Sequence, residues 1–254
     1  MDSKLLHIGE ITDLIERNLT PEDLKIYRCL LFQNDNRNLL HLIFHEYHGL
    51  SYERLHYPAI IPIKTLKSYK RKATDLPDYM VEFLQDNAGV FSTYSPKDIE
   101  LKLRAYFLDF VRKQQSKFLQ HYYEWQYQLE SVLAEINQRN YTFLKEEEND
   151  DLDYLGMVPP GLSLIDKSLI IGDLTPLIEA QNYSDIEQKT DEYYWDFADH
   201  WRTPFSAEAV FAYTIRLLRI ARWSTIPSDS DKSQAQFESI INSLKSKHLK
   251  QSKV

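Results

Sequence analysis

Residues that cross-link a chain or break its helices are scarce in this sequence. Its 254 residues include six glycines and one cysteine, Cys29. A single cysteine cannot form a disulfide bond within the chain, and such usage is typical of a reducing compartment. The first ten residues also lack the basic and apolar segments of a secretion signal. The sequence therefore predicts a cytoplasmic protein.

Long apolar runs and an excess of positive charge are missing as well. No run approaches the roughly 20 apolar residues that a membrane-spanning helix needs, so the sequence predicts no direct membrane span. The formal net charge is −8, whereas a protein that binds along a phosphate backbone is usually basic. Nucleic acid is therefore not expected as a partner.

The common signatures of catalysis are absent too. The sequence has no G-x-x-x-x-G-K-[ST] loop and no G-x-G-x-x-G, the patterns that hold nucleotide phosphates. It also has no G-x-S-x-G pattern, which would place a nucleophilic serine on a sharp turn. Cys29 lies in an apolar stretch, which favours a place in the core. The sequence predicts no enzymatic activity and no cofactor.

One stretch, "NLLHLIFHEYHG" at residues 38–49, resembles a metal site. His41, His45 and His48 would share one face of a helix, and histidines four residues apart can provide two zinc ligands. The zinc protease signature, however, is H-E-x-x-H, and "HEYH" is one residue shorter. A polar stripe near a helix C-terminus is the favoured interpretation. A metal-dependent enzyme that uses His41, His45 and Glu46 is the alternative hypothesis.

Capping patterns predict helices in the first third of the chain. Thr20 precedes a proline and two acids, the order expected at a helix N-terminus. Gly49 suits the residue after a helix. The predicted helices run from Thr20 to about Phe32, from about Asn36 to His48, and from Pro77 to Asn87, with "AIIPI" (59–63) as a short strand candidate.

A much longer helix is predicted in the middle of the chain. Ser95-Pro96-Lys97-Asp98 is another capping pattern, and no proline or glycine appears after Pro96 until Gly156. Apolar residues recur at steps of three and four from Ile99 to Ile136, and the pattern is interrupted only at Gln114. This predicts a helix of about 44 residues, on the order of 65 Å long.

Helices are expected again after an acidic linker at 146–153 and a loop at 156–161. They should resume near Leu174, at a capping box that starts with Ser184, at Ser206 through about Trp223, and from about 231 to 247. The predicted fold is all-α, an elongated helical bundle with one very long central helix. It is expected to be a single domain over 1–254, with sub-regions at 1–90, 95–142 and 152–254.

Aromatic and arginine residues are the candidates for an interface. The aromatic residues of 118–127 cannot all face one side of a helix, so the helix is either sandwiched between neighbours, which is favoured, or presents an aromatic surface to another chain. Tyr122 and Trp125 are the aromatic candidates for such a surface. Arg216, Arg219 and Arg222 are three residues apart and form one basic stripe, unless they pair with the chain's own acids.

The segment Lys117–Tyr141 resembles a bacterial family of unknown function whose genes lie among those of V-type ATPases. The shared pattern is a Lys-Phe pair, an aromatic-Glu-aromatic triplet, an aliphatic-Leu pair, then an arginine and a tyrosine. It falls here on Lys117 and Phe118, on Tyr123, Glu124 and Trp125, on Val132 and Leu133, and on Arg139 and Tyr141.

Two outlying segments extend the resemblance. "NDNRNLL" (34–40) is similar to the family's early Asn/Asp-rich helix start, and "AVFAYTIRLLRIARW" (209–223) to its late helix. The family usually begins with a short tyrosine-rich strand that this sequence lacks. Thr142 also stands where a glycine often follows the tyrosine.

The segment "SVLAEINQRNY" (131–141) is also similar, more distantly, to part of the C/d-type subunit of V-type ATPases, an all-helical socket between the central shaft and the membrane ring. The resemblance implies a non-catalytic coupling or assembly protein on the cytoplasmic face of the membrane. Its expected partners are V-type ATPase subunits of the central shaft or the membrane ring. Peripheral association with the inner membrane would then come through that complex.

Overall fold

Helix dominates the part of the chain that the structure describes. The computed structural model describes residues 8–52, 55–71, 75–142 and 165–224. Within these ranges every regular element is a helix and none is a strand, which confirms the all-α prediction. The helices are α1 (Ile8–Asn18), α2 (Pro21–His48), α3 (Ile63–Lys67), α4 (Asp78–Asn87), α5 (Pro96–Arg112), α6 (Lys117–Thr142), α7 (Lys167–Glu179), α8 (Tyr183–Asp199) and α9 (Ala207–Ser224).

Internal packing divides these helices between two compact units. The first unit contains α1 to α5 and the part of α6 that ends at Leu129. The second contains the rest of α6, from Glu130, together with α7, α8 and α9. The sequence prediction of one domain over 1–254 stays a prediction.

Helix α2 is longer than the sequence predicted. Two helices were expected, with a break between Phe32 and Asn36, and this expectation is wrong because one helix of 28 residues spans both. The predicted ends are confirmed. Thr20 Oγ1 accepts a hydrogen bond from the Asp23 amide at 3.2 Å, and Gly49 closes the helix at a φ of 66°.

The middle of α2 contains Asn and Asp residues, which are poor helix formers, and in the structure their side chains are bound to a loop. Asn and Asp compete with helical hydrogen bonds when their side chains turn to the local backbone. Here the side chains of Asn34, Asp35 and Asn38 bind the backbone of residues 56–61 instead, so α2 continues through them. The strand candidate at 59–63 is also wrong. The amides of residues 60 and 61 bind Asp35 of α2, and the segment is a loop that leads into α3.

The single helix predicted from Ser95 to Thr142 is also wrong. The structure has two helices, α5 and α6, joined by a turn at 113–116. The rings of Phe107 and Tyr123 lie 4.8 Å apart, centroid to centroid. In a straight helix these residues would be about 24 Å apart. The two helices therefore form an antiparallel hairpin, and no single very long helix is present in the described ranges.

Polar side chains explain where this hairpin turns. Ser116 Oγ accepts a hydrogen bond from the Leu119 amide at 3.3 Å and so caps the start of α6. The side-chain amide of Gln114 donates to the Phe110 carbonyl at 3.0 Å, and that of Gln120 to the Arg112 carbonyl at 3.0 Å. These bonds satisfy carbonyl groups that the end of α5 leaves open.

Aromatic residues fill the core of the first unit. Tyr79 of α4 packs between Phe107 and Phe110 of α5, with ring centroids 5.3 and 5.0 Å away. Tyr123 of α6 donates its hydroxyl hydrogen bond to the Cys29 carbonyl of α2 at 2.8 Å. Such ring pairs stabilise a core beyond the area they bury. The sandwiched arrangement predicted for the aromatic segment of α6 agrees with this packing.

Helix starts in the second unit follow local caps, two of which the sequence placed incorrectly. Helix α7 begins seven residues before Leu174, because Asp166 accepts a hydrogen bond from the Leu169 amide. Helix α8 is capped by Asn182 and not by Ser184. Helix α9 begins after Ser206, as predicted. The acidic linker, the loop at 156–161, the helix at 231–247 and any N-terminal strand lie outside the described residues.

Candidate functional site

A polar set on α2 holds the loop at 56–61 by its backbone. Asn34 donates to the Pro58 carbonyl at 2.8 Å, and Asp35 accepts from the amides of residues 60 and 61 at 3.0 and 2.9 Å. Asn38 donates to the His56 carbonyl at 3.0 Å and accepts from the His56 amide at 2.7 Å. We call Asn34, Asp35 and Asn38 the loop-binding triad.

Asp35 is the most unusual member of the triad, because it is fully buried. Burial raises the pKa of its carboxyl group to about 6, although the hydrogen bonds from the amides of Ile60 and Ile61 act in the opposite direction. At neutral pH the carboxylate form predominates and accepts both amide hydrogen bonds. The triad therefore fixes the loop against α2 and sets the position of His56.

A cluster of basic residues lies next to this loop. The rings of His41 and His56 have their centroids 5.0 Å apart, and Tyr52 stacks on His41 at 5.5 Å. Arg37 lies one turn before His41 on α2 and is exposed. We call Arg37, His41 and His56 the Arg-His cluster.

Both imidazoles of the cluster are neutral at physiological pH. Burial, followed by the positive charge of Arg37 and the neighbouring His41, lowers the pKa of His56 to about 4. Burial, followed by the charge of Arg37, also lowers the pKa of His41. The buried Nδ1 atom of His41 has no hydrogen-bond partner.

The three histidines predicted as possible metal ligands do not form a metal-binding group among the described residues. His45 and His41 both contact the Tyr52 ring, but His45 Nδ1 lies 3.3 Å from the Leu50 carbonyl oxygen and His41 also contacts His56. His48 packs edge-on against Phe44. In the described ranges no three side chains of His, Cys, Asp or Glu are grouped to hold a metal ion.

Glu46, the base of the alternative enzyme hypothesis, is bound to residues that follow α3. Its carboxylate accepts a hydrogen bond from the Tyr69 hydroxyl at 2.7 Å and forms an ion pair with Lys70. The hydrogen bond from Lys70, followed by that from Tyr69, lowers the pKa of Glu46. Lys70 also lies over the Tyr47 ring, 4.7 Å from its centroid. This carboxylate therefore helps to attach the end of α3 to α2.

The aromatic interface candidates lie inside the chain. Tyr122 and Trp125 retain 4% and 6% of their accessible surface. Tyr122 packs against Phe118 and Tyr123, with ring centroids 6.4 and 4.9 Å away. A partner could contact these two side chains only after a rearrangement of α6.

The arginine candidates face the acids of α8. Arg216 forms an ion pair with Asp199. Arg219 and Arg222 both pair with Asp191, and the distance from Arg222 to this carboxylate is 3.6 Å. Arg222 also pairs with Glu187, while Arg216 lies over the Trp195 ring and Arg219 over the Tyr194 ring, at 4.8 and 4.2 Å. The structure thus shows the second of the two sequence alternatives, in which the stripe pairs with the chain's own acids.

Phe205 is an exposed aromatic residue that the sequence did not indicate. It lies in the short connection between α8 and α9, is 108% exposed, and adopts a φ of 63°. A bulky residue with positive φ is strained by about 1 kcal/mol or more. The sequence signal that could have indicated this exposed residue is an aromatic residue directly after Pro204, between the end of α8 and the start of α9. Its position in solvent, however, depends on the packing of both helices.

The described residues thus define an all-helical protein with many buried aromatic side chains, and none of its described helices is both long and apolar enough to cross a membrane. A family model described as "Protein of unknown function (DUF2764)" matches residues 1–248, so the chain belongs to that family. No curated protein and no solved structure matches the chain.

Proposed function

We propose that this chain is a non-catalytic structural or coupling component, or an accessory protein, of a bacterial V-type ATPase, with a role like that of the C/d-type socket. Two features support the proposal. The first is the resemblance of residues 117–141, 34–40 and 209–223 to a family encoded beside V-type ATPase genes. The second is a surface residue suited to binding another protein.

That surface residue, Phe205, is the structural observation that supports binding to another protein, whereas the family resemblance supports the choice of partner. Its ring is wholly in solvent, so it contributes no packing to the free chain, while its positive φ costs free energy. A partner with an apolar pocket would bury the ring and recover about 2 kcal/mol or more. Aromatic residues of this kind commonly dominate the energy of protein interfaces.

The proposed partners are subunits of the central shaft or of the membrane ring, which the chain would bind at the cytoplasmic face of the inner membrane. In this view the complex keeps the chain at the membrane, and the chain supplies rigid helices and contact surface. The role shared with the C/d-type socket is structural: it connects parts of the machine and carries no chemistry of its own.

Affinity purification from the native host's solubilised membranes tests the proposal. The tagged chain should retain V-type ATPase subunits in a fixed ratio, as measured by mass spectrometry. The Phe205→Ala variant should retain roughly a tenth as much or less. Tyr183→Ala is the matched control, because Tyr183 is an aromatic residue of the same unit that is 71% exposed with ordinary backbone geometry.

A helical scaffold for a different cytoplasmic partner is the second candidate, and Phe205 favours it equally. The identity of the retained proteins separates the two. Recovery of an unrelated set that is lost in Phe205→Ala would support the scaffold and contradict the ATPase assignment. Equal recovery with both variants would remove Phe205 as the contact.

A further inference from the structure

The Arg-His cluster has donor groups that nothing in the described fold uses. Arg37 is exposed and forms no ion pair with the described residues. The Nδ1 atom of His41 is buried without a hydrogen-bond partner. Buried polar atoms are nearly always paired, so an orphaned one, one helical turn from an arginine that has no ion pair among the described residues, indicates a place for a ligand.

The cluster is held in position before any ligand arrives. Asn38 binds both backbone polar groups of His56, and Tyr52 stacks on His41 with the planes 17° apart. Arg37 and His41 lie one turn apart on the same face of α2. A ligand would therefore meet side chains whose backbone is already fixed, which reduces the entropy cost of binding.

The charge of the cluster favours an anion over a metal cation. Two imidazoles 5.0 Å apart could by themselves attract a transition metal. The charge of Arg37, however, reaches both rings, since it lowers the pKa of each. A divalent cation would be repelled by that charge, whereas an anion would be attracted by it.

We propose that Arg37, His41 and His56 form a binding site for a phosphate group. A guanidinium group binds phosphate through two parallel hydrogen bonds, and each imidazole donates one more. Three separate donors suit the several oxygens of a tetrahedral dianion better than the two oxygens of a carboxylate. This site does not depend on the proposed role in a V-type ATPase.

A phosphate titration followed through the histidine side chains tests the site. The full chain, labelled with ¹⁵N at histidine, is titrated with sodium phosphate at pH 7 and constant ionic strength, with chloride as the balancing anion. The signals of His41 and His56 should shift and saturate, with a Kd on the order of 1 mM. Signals of His121 and His200 should not move with them, and the net charge of −8 disfavours general phosphate binding.

Substitution of the arginine makes the test specific. Arg37→Gln should weaken phosphate binding by roughly tenfold or more, because it removes the only permanent charge of the cluster. Arg112→Gln is the control, since Arg112 is also exposed but pairs with Asp109 on α5. Thermal unfolding of both variants establishes that each is folded.

Other anions define the ligand class and its source. Acetate that binds as tightly as phosphate would overturn the phosphate assignment. So would shifts that never saturate, or equal binding by Arg37→Gln. Phenyl phosphate distinguishes two sources of the same group: tighter binding than inorganic phosphate indicates a phosphate on a larger molecule, and weaker binding indicates the free anion. Both results support the site.

Discussion

The two units of this protein use buried polar groups in different ways. In the first unit, the loop-binding triad of α2 forms hydrogen bonds with backbone groups of one loop. In the second unit, arginines of α9 pair with carboxylates of α8, and two of these arginines also lie over aromatic rings of α8. The first arrangement joins side chain to backbone, and the second joins side chain to side chain.

This difference has physical consequences. A hydrogen bond to a backbone amide fixes the path of the chain, and losing the acceptor leaves a buried donor unpaired. An ion pair between long side chains holds two helices together but allows adjustment, and salt screens its exposed members. The contacts of the loop-binding triad should therefore be sensitive to single substitutions and insensitive to salt, whereas the partly exposed ion pairs between α8 and α9 should respond to both.

The largest effect is expected from Asp35→Ala. This substitution leaves the buried amides of Ile60 and Ile61 without an acceptor, so the free energy of unfolding should fall by about 3 kcal/mol. Urea unfolding followed by circular dichroism measures the change. Asp109→Ala, which removes an exposed carboxylate, should cost less than about 0.5 kcal/mol. Similar losses for the two variants would contradict a structural role for the triad.

The matching change in the second unit is Asp191→Asn. Asp191 is 2% exposed and pairs with Arg219 and Arg222, so removing its charge should cost about 2 kcal/mol. Glu187→Gln is the control, because that pair is more exposed than the Asp191 pairs and should contribute less, about 0.5 kcal/mol. High salt should reduce the effect of Glu187→Gln proportionally more than that of Asp191→Asn, because salt screens a buried pair less than a partly exposed one. A loss for Asp191→Asn no larger than that for Glu187→Gln would count against a stabilising buried ion pair.

The pH dependence of stability tests the burial of Asp35 directly. Its folded pKa of about 6 lies above the unfolded value near 4, so the folded state binds more protons between these values. Wild-type stability relative to Asp35→Asn should therefore rise by on the order of 2 kcal/mol as pH falls from 7 to 4. Unfolding curves at several pH values measure this. The opposite slope would mean that the two amide hydrogen bonds outweigh burial.

A smaller effect is expected at the turn of the helical hairpin. Ser116→Ala removes the acceptor for the Leu119 amide and should cost about 1 kcal/mol. Gln115→Ala, at the neighbouring exposed position, should have almost no effect on urea unfolding. Equal stability of the serine variant and wild type would show that this cap contributes little to the turn.

These comparisons also show which parts of the fold the sequence could predict. The caps at Thr20 and Ser206 were predicted because a cap depends on three or four neighbouring residues. The turn at 113–116 was missed because the apolar pattern continues on both sides of it. Only the contact between Phe107 and Tyr123 shows that the chain reverses.

The candidate sites also divide into features that depend on neighbouring residues, which could be predicted, and features that depend on packing, which could not. That Arg216, Arg219 and Arg222 form a stripe could be read from their spacing, but their pairing depends on how α9 packs against α8. An acidic stripe on α8, Glu187 and Asp191, was present in the sequence and could have decided between the alternatives. The Arg-His cluster could not be predicted, because His56 reaches it only through a loop held by distant hydrogen bonds.

The most direct test of the proposed function begins from the ATPase. A tag on a catalytic V-type ATPase subunit of the native host allows the complex to be purified and fractionated by size. This chain is expected in the ATPase fractions at a constant ratio to the tagged subunit. Its absence from those fractions, while it is expressed in the same cells, would contradict the assignment.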